Sequence, residues 1–156
     1  MKMRDLMVTE TITITPQTSI NEAIDLMKLN SIRHLPVVSG GKLLAGFVTL
    51  ADLKQGLIPS MVGDMNLSDL MIKDPITVSP DDDVELAAQL IYKHKIGGLP
   101  VVKNRRLEGI ITVSDLLRAF IDMMGILNAS SRIDVVIGDQ PGAFRQALNI
   151  IQEAGG

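Results

Sequence analysis

The stretch Leu35-Pro36-Val37-Val38 returns 64 residues later as Leu99-Pro100-Val101-Val102, and the organisation of the chain follows from that repetition. Working outward, Asp5-Leu6-Met7 returns as Asp69-Leu70-Met71, Pro16 as Pro80 and Ala23 as Ala87, all at the same spacing. Downstream the spacing drops to 63, where Gly46, Thr49 and Asp52 answer to Gly109, Thr112 and Asp115. The lost residue falls where Ser39-Gly40-Gly41-Lys42-Leu43-Leu44 becomes Lys103-Asn104-Arg105-Arg106-Leu107. A single deletion in a turn, with both flanks in register, is what a duplicated fold produces.

Each copy reads alike. A β-rich segment comes first, Thr11-Ile12-Thr13-Ile14 and then Ile76-Thr77-Val78, stopped by Pro16 and Pro80, which offer no N–H to a ladder. A helix follows: Ile20, Ala23, Ile24 and Met27 recur at helical spacing, as do Val84, Ala87, Ala88 and Ile91. Ser19 with Glu22 is a capping box, and Asp83 is the cap candidate of the second copy. Leu35–Val38 pairs through a turn with Leu44–Val48, and Leu99–Val102 with Leu107–Thr112. A last helix opens at Asp52 or Asp115. The unit is β-α-β-β-α, too short to bury a secure core alone. The fold class is therefore mixed α+β, two repeats packed about a pseudo-two-fold axis with two related clefts. Residues 1–60 and 61–127 are the repeats. Residues 128–156 are a linker, Asn128-Ala129-Ser130-Ser131, then a strand, Arg132–Ile137, a turn, Asp139-Gln140-Pro141-Gly142, and an amphipathic helix, Ala143–Ala154.

Composition excludes several classes. The 156 residues are 46% hydrophobic and 21% charged, which suits a packed chain and not a disordered one. Aromatic residues are only 3% and the formal net charge is −3, so neither a stacking platform for single strands nor a general phosphate-backbone binder is expected. The absence of cysteine removes disulfides, thiol nucleophiles and thiolate metal sites. No apolar run approaches 18 residues and the start has no secretory pattern, so a cytoplasmic protein without membrane contact is expected. His34 and His94 are not spaced as a ligand pair, and no metal site is expected. No nucleophile–base set is readable, and the expectation is a non-enzyme. Gly40-Gly41-Lys42 lacks the spacing of a phosphate-binding loop and reads as a hairpin turn. Asp81-Asp82-Asp83 precedes a helix, where acids favour the positive dipole end.

The repeat resembles a cystathionine-β-synthase (CBS) domain, and the two copies resemble a CBS pair, or Bateman module. Leu35-Pro36-Val37-Val38 with Gly46–Asp52, and Leu99-Pro100-Val101-Val102 with Gly109–Asp115, carry the likeness over Met1 to Gly125. The tail, Ile133 to Gly156, resembles the opening strand and helix of an ACT domain. A CBS pair followed by an ACT domain is the arrangement of bacterial acetoin-utilisation B-type proteins. The resemblance implies a regulatory module whose clefts take an adenosyl ligand, either AMP, ADP, ATP or S-adenosylmethionine, and which commonly forms a homodimer.

Two readings of the Thr-x-x-Asp motifs stand together. Thr49 to Asp52 and Thr112 to Asp115 have the spacing of helix capping boxes. A carboxylate in the first turn of a helix also suits ribose hydroxyls, and the adjoining helix end suits phosphate. The resemblance places the ribose acids at Asp52 and Asp115, with Thr49 and Thr112 beside the phosphates. Arg33 and His34 precede the first Leu-Pro and suit phosphate; the second copy has Gly97 and Gly98 there, which admit a ligand to the backbone. The two clefts are thus chemically unequal, and the spacing leaves open which of them Arg33 serves. The resemblance adds Thr13, Ile32, Pro36, Thr77 and Pro100 to the ligand-facing set. The rival expectation is a structural dimerisation module with no nucleotide, in which Leu116, Leu117, Phe120, Ile121 and Met124 form the partner surface.

Overall fold

A computed structural model describes residues 1–62, 65–124 and 142–153. The elements are α1 (Ile20–Leu29), β1 (His34–Ser39), β2 (Leu43–Thr49), α2 (Leu50–Val62), α3 (Leu67–Leu70), α4 (Val84–His94), β3 (Gly98–Lys103), β4 (Arg106–Thr112), α5 (Val113–Met123) and α6 (Ala143–Glu153). They fall into two compact units, Met1–Phe120 and Ile121–Gly156. In the second unit α6 leaves Phe144 and Leu148 exposed. The expected linker, the strand Arg132–Ile137 and the turn from Asp139 to Pro141 lie outside the described residues.

Both repeats build an antiparallel hairpin, with His34 opposite Thr49 in β1–β2 and Gly98 opposite Thr112 in β3–β4. One four-stranded sheet results, in the order β1-β2-β4-β3, joined at its centre by Leu43 and Arg106. The hairpin turns show where the deletion sits. Gly41 and Lys42 have φ of 70° and 63°, and Asn104 and Arg105 have 51° and 65°. Two successive left-handed residues match the twist of the strands they connect. The first turn carries Gly40 in addition.

The β-rich lead-in segments are shorter than expected as strands. Each touches the sheet at one parallel bridge, Ile14 beside Val37 and Val78 beside Val101. Ile14 N–H donates to the Pro36 carbonyl and Val38 N–H to the Ile14 carbonyl, at 3.1 and 2.8 Å; Val78, Pro100 and Val102 repeat the pattern. Pro16 and Pro80, two residues on, prevent the ladder from growing. The helix cap of α1 forms as read, with Ser19 accepting from Glu22 N–H at 3.1 Å. Asp83 occupies the cap position of α4 but caps nothing with its side chain; its carboxylate takes the Lys2 ammonium at 2.8 Å.

That ion pair belongs to an exchange between the repeats. The first core contains Ile14, Ile20, Ala23, Ile24, Met27, Leu35, Val37, Val48 and Leu53, together with Leu67 from the lead-in of the second repeat. The second contains Val78, Ala87, Ile91, Leu99, Val101 and Ile111, together with Met3 from the lead-in of the first. Met3 is 0% exposed. Its N–H donates to the Asp82 carbonyl at 2.9 Å, and Val84 N–H donates to the Met1 carbonyl at 3.1 Å. Arg4 pairs with Asp81, so the run Asp81-Asp82-Asp83 serves as a dock for the first residues of the chain. Gly109 and Gly46 permit the crossing: a Cβ at Gly109 would lie 2.6 Å from the Val8 carbonyl oxygen, and one at Gly46 2.7 Å from Met71 Sδ.

Candidate functional site

The strand ends and helix starts at Thr49–Leu50 and Thr112–Val113 converge on one cleft of about 810 Å³. Val8, Glu10, Thr11 and Ile12 from the exchanged lead-in form one wall. Ser31, Ile32, Arg33 and His34 enter β1 along another. Thr49, Leu50, Ala51 and Lys54 come from the start of α2, and Ile110, Thr112, Val113, Ser114 and Asp115 from the end of β4 and the start of α5. Gly97 completes the lining. The apolar part is aliphatic, as the shortage of aromatic residues requires.

Both capping boxes form. Asp115 Oδ2 accepts from Thr112 N–H at 2.9 Å and from Thr112 Oγ1 at 2.6 Å, while Thr112 Oγ1 accepts from Asp115 N–H at 3.4 Å. The same three bonds join Asp52 and Thr49, at 3.0, 2.7 and 3.2 Å. In each the cap consumes a single carboxylate oxygen. Among the described residues, Asp115 Oδ1 has only the exposed Arg118 guanidinium, 3.8 Å away. The cap therefore leaves the second oxygen of each carboxylate unused. Each helix start is further tied to the neighbouring loop, Leu50 N–H to the Arg33 carbonyl at 2.9 Å and Val113 N–H to the Gly97 carbonyl at 3.1 Å.

His34 stands where the two repeats meet. Its ring stacks on Phe47, centroids 5.8 Å apart and planes at 18°. On the other side it occupies the space a side chain at residue 97 would need, since a Cβ there would lie 2.5 Å from His34 Nε2. A glycine at 97 thus lets a first-repeat ring press against the second repeat. Burial, and next the Arg33 charge, push the His34 pKa below its usual value, against an opposing pull from Asp52.

Of the residues singled out in the sequence, the structure places Ile32, Arg33, His34, Thr49, Gly97, Thr112 and Asp115 along this cleft. Arg33 accompanies Asp115, the acid of the other repeat. Thr13, Asp52, Thr77 and Gly98 lie outside this lining. Pro36 and Pro100 are fully buried, and their carbonyls accept from Ile14 and Val78. Lys54 and the segment from Val8 to Ile12 were not foreseen. Lys54 stands one helical turn beyond Leu50, a signal available once the helix start is set at residue 50. The lead-in wall depends on the exchange between repeats, which no local pattern announces. Among the described residues no group of three or more His, Asp or Glu side chains is arranged to hold a metal ion. No described helix is long and apolar enough to cross a membrane.

Two repeats sharing one sheet, with a capped acid and a basic pair meeting in a cleft between them, define a tandem-repeat module with an inter-repeat cleft. The CBS domain family profile matches residues 3–58 and 67–122, and the chain belongs to that family as a tandem CBS pair. The match ends at residue 122 and lends no support to an ACT-like tail. A homoserine O-acetyltransferase from Methanocorpusculum labreanum is 43% identical over 105 residues, which are 67% of this chain and 21% of that protein. The chain thus corresponds to about a fifth of that relative's length. An acetoin utilization protein (AcuB) from Vibrio cholerae superposes with a TM-score of 0.73 at 33% identity, covering 85% of this chain and 98% of that one. The CBS domain pair of protein MJ0100, in complex with 5′-methylthioadenosine and S-adenosyl-L-methionine, superposes at 0.72 with 30% identity, over 79% of this chain and 98% of that one. CBSX2 in complex with AMP gives 0.70 at 27% identity, over 79% and 98%.

Proposed function

We propose that this chain is a regulatory, non-catalytic module that binds an adenosyl ligand in the cleft closed by Asp115. The observation that carries the reading is the division of labour within Asp115, whose Oδ2 completes the helix cap while Oδ1, among the described residues, faces no partner but an exposed arginine. That second oxygen would accept ribose hydroxyls, the aliphatic residues Val8, Ile12, Ile32 and Ile110 suit a purine, and Arg33 and His34 suit phosphate. The adenosyl ligands held by the MJ0100 pair and by CBSX2 support the same class. By the pseudo-symmetry, Asp52 with Thr77, Gly98 and the Pro100 backbone would serve the partner cleft, and Thr13 and the Pro36 backbone would belong with Asp115. Titration calorimetry with AMP, ADP, ATP and S-adenosylmethionine tests the reading. Saturable heat with at least one of them is the expected outcome, and no heat or thermal shift at millimolar ligand refutes it.

A second reading has its own observation. On α5, Leu117, Phe120 and Met123 are 55%, 50% and 75% exposed, a larger apolar surface than a solvated helix normally keeps. A homodimer through this helix would cover it, and ligand binding would then act on the dimer. The likeness to AcuB makes acetoin utilisation the pathway to test first.

A further inference from the structure

The chain has nine methionines and no cysteine, so thioethers are its whole sulfur chemistry. Two of them hold equivalent places in the repeats, 64 residues apart. Met7 and Met71 each stand just ahead of the residue that bridges a lead-in to the sheet, Val8 to Ile110 and Ile72 to Phe47. Each sulfur fills the space that a glycine leaves open: a Cβ at Gly109 would lie 3.1 Å from Met7 Sδ, and one at Gly46 2.7 Å from Met71 Sδ. Both side chains are partly buried, Met7 against the second core and Met71 against the first. Met3 and Met27 are sealed inside those cores, whereas Met1, Met65 and Met123 are exposed. Met7 and Met71 thus combine access for a small oxidant with a place in the crossing between the repeats. We propose that they are paired modification sites, at which a hydroperoxide forms methionine sulfoxide and loosens the lead-in wall of the cleft.

The step is a two-electron oxidation. The thioether sulfur takes the outer oxygen of hydrogen peroxide, the O–O bond breaks, an S–O bond forms and water leaves. An apolar gap-filler becomes a polar one, whose oxygen needs a donor. The adjoining bridges offer none. Val8 N–H donates to the Ile110 carbonyl at 2.9 Å and Ile110 N–H to the Val8 carbonyl at 3.0 Å, while Phe47 and Ile72 exchange bonds of 3.0 and 2.9 Å. The Val8 carbonyl oxygen also crowds Gly109, 2.6 Å from where a Cβ would stand, so an oxygen on Met7 brings two acceptors together there. Relief comes by shifting the lead-in off the sheet. Val8 and Ile110 both line the cleft, so a shift at Met7 reaches it directly; at Met71 it passes through Phe47, on which His34 stacks. A methionine sulfoxide reductase would reverse the change. The effect on ligand affinity rests on the adenosyl reading above; the oxidation and the loosening do not.

Graded hydrogen peroxide treatment of the full chain, with sulfoxides located by peptide mass spectrometry, tests this. The exposed methionines should react first, Met7 and Met71 next, and Met3 and Met27 last. Amide exchange at Val8, Ile110, Phe47 and Ile72 should quicken about tenfold as Met7 and Met71 react, the order of cost of one unsatisfied acceptor. AMP affinity should fall about fivefold in step and recover with the reductase. The double variant Met7→Leu with Met71→Leu keeps the volume and removes the sulfur, so peroxide should leave its exchange and AMP affinity unchanged. Met7 and Met71 reacting no sooner than Met3 and Met27 overturns the sites. Sulfoxide at both without faster exchange in the native protein overturns the loosening, whether or not the variant folds. A loss of affinity in the treated variant equal to the native one overturns the assignment to these two sulfurs. A native protein that binds no adenosyl ligand overturns the adenosyl reading alone, and the exchange rates then decide the switch.

Discussion

Replacing Met3 with alanine probes the exchange that builds the cleft. Met3 is completely buried in the second core, although it stands 75 residues ahead of Val78, the next member in sequence. Truncating a buried methionine costs the transfer of its side chain plus the cavity left behind, about 2–5 kcal/mol. The surrounding bonds hold the backbone in place: Met3 N–H to Asp82, Arg4 N–H to Pro80 and Val84 N–H to Met1, with Lys2 and Arg4 paired to Asp83 and Asp81. The site cannot collapse freely, so we expect a value near the middle, about 3 kcal/mol, corresponding to a fall in melting temperature of about 6–12 °C for a chain of this size. The loss should be local. Hydrogen exchange should quicken first in Val84–His94 and Gly98–Lys103, and the lead-in wall of the cleft, Val8 to Ile12, should loosen with it. A fall below about 2 °C, or faster exchange confined to the first repeat, would refute the exchange as the anchor of this wall.

Three further outcomes follow from the same geometry. Gly97→Ala should displace the His34 ring and cost about 1–3 kcal/mol, whereas Gly40→Ala, with open space around it, should change stability by less than about 0.5 kcal/mol; equal melting temperatures for the two variants would count against the His34–Gly97 contact. Because His34 has a lowered pKa in the folded state, its contribution is fully present above the unfolded value of about 6.5 and declines as pH falls from there toward the folded value. Denaturant titrations should therefore show the stability difference between the native protein and His34→Gln shifting against the native protein between pH 7.5 and 5.5, and a pH-independent difference would contradict this. Leu117→Asp should leave the monomer folded and shift a dimer to monomer in sedimentation; a monomeric native protein over a wide concentration range would remove the α5 interface.

How far the sequence disclosed all this depended on whether a feature was local. The α1 cap and both Thr-x-x-Asp boxes rest on residues three positions apart, and the hairpins on strands joined by short turns; each formed. The lead-in strands failed to extend because Pro16 and Pro80 stop the ladder downstream of the bridge, while Pro36 and Pro100 have no N–H to donate to residues 12 and 76 upstream of it. Asp81-Asp82-Asp83 suggested a helix dipole, since its partners Lys2 and Arg4 lie some 80 residues away and no periodicity links them. Which acid shares a cleft with Arg33 was open for the same reason; both Arg33 and Asp115 line the one described above.

Asp115 caps α5 with Oδ2, and on the proposed function its Oδ1 meets the ligand; Asp115→Asn separates the two roles. Asparagine retains one acceptor for the cap, so the melting temperature should drop by no more than a few degrees, in line with a cap worth about 1 kcal/mol. It loses the second acceptor and the charge, so AMP affinity measured by calorimetry should fall by more than about tenfold. Undiminished affinity in a folded Asp115→Asn protein would contradict the account.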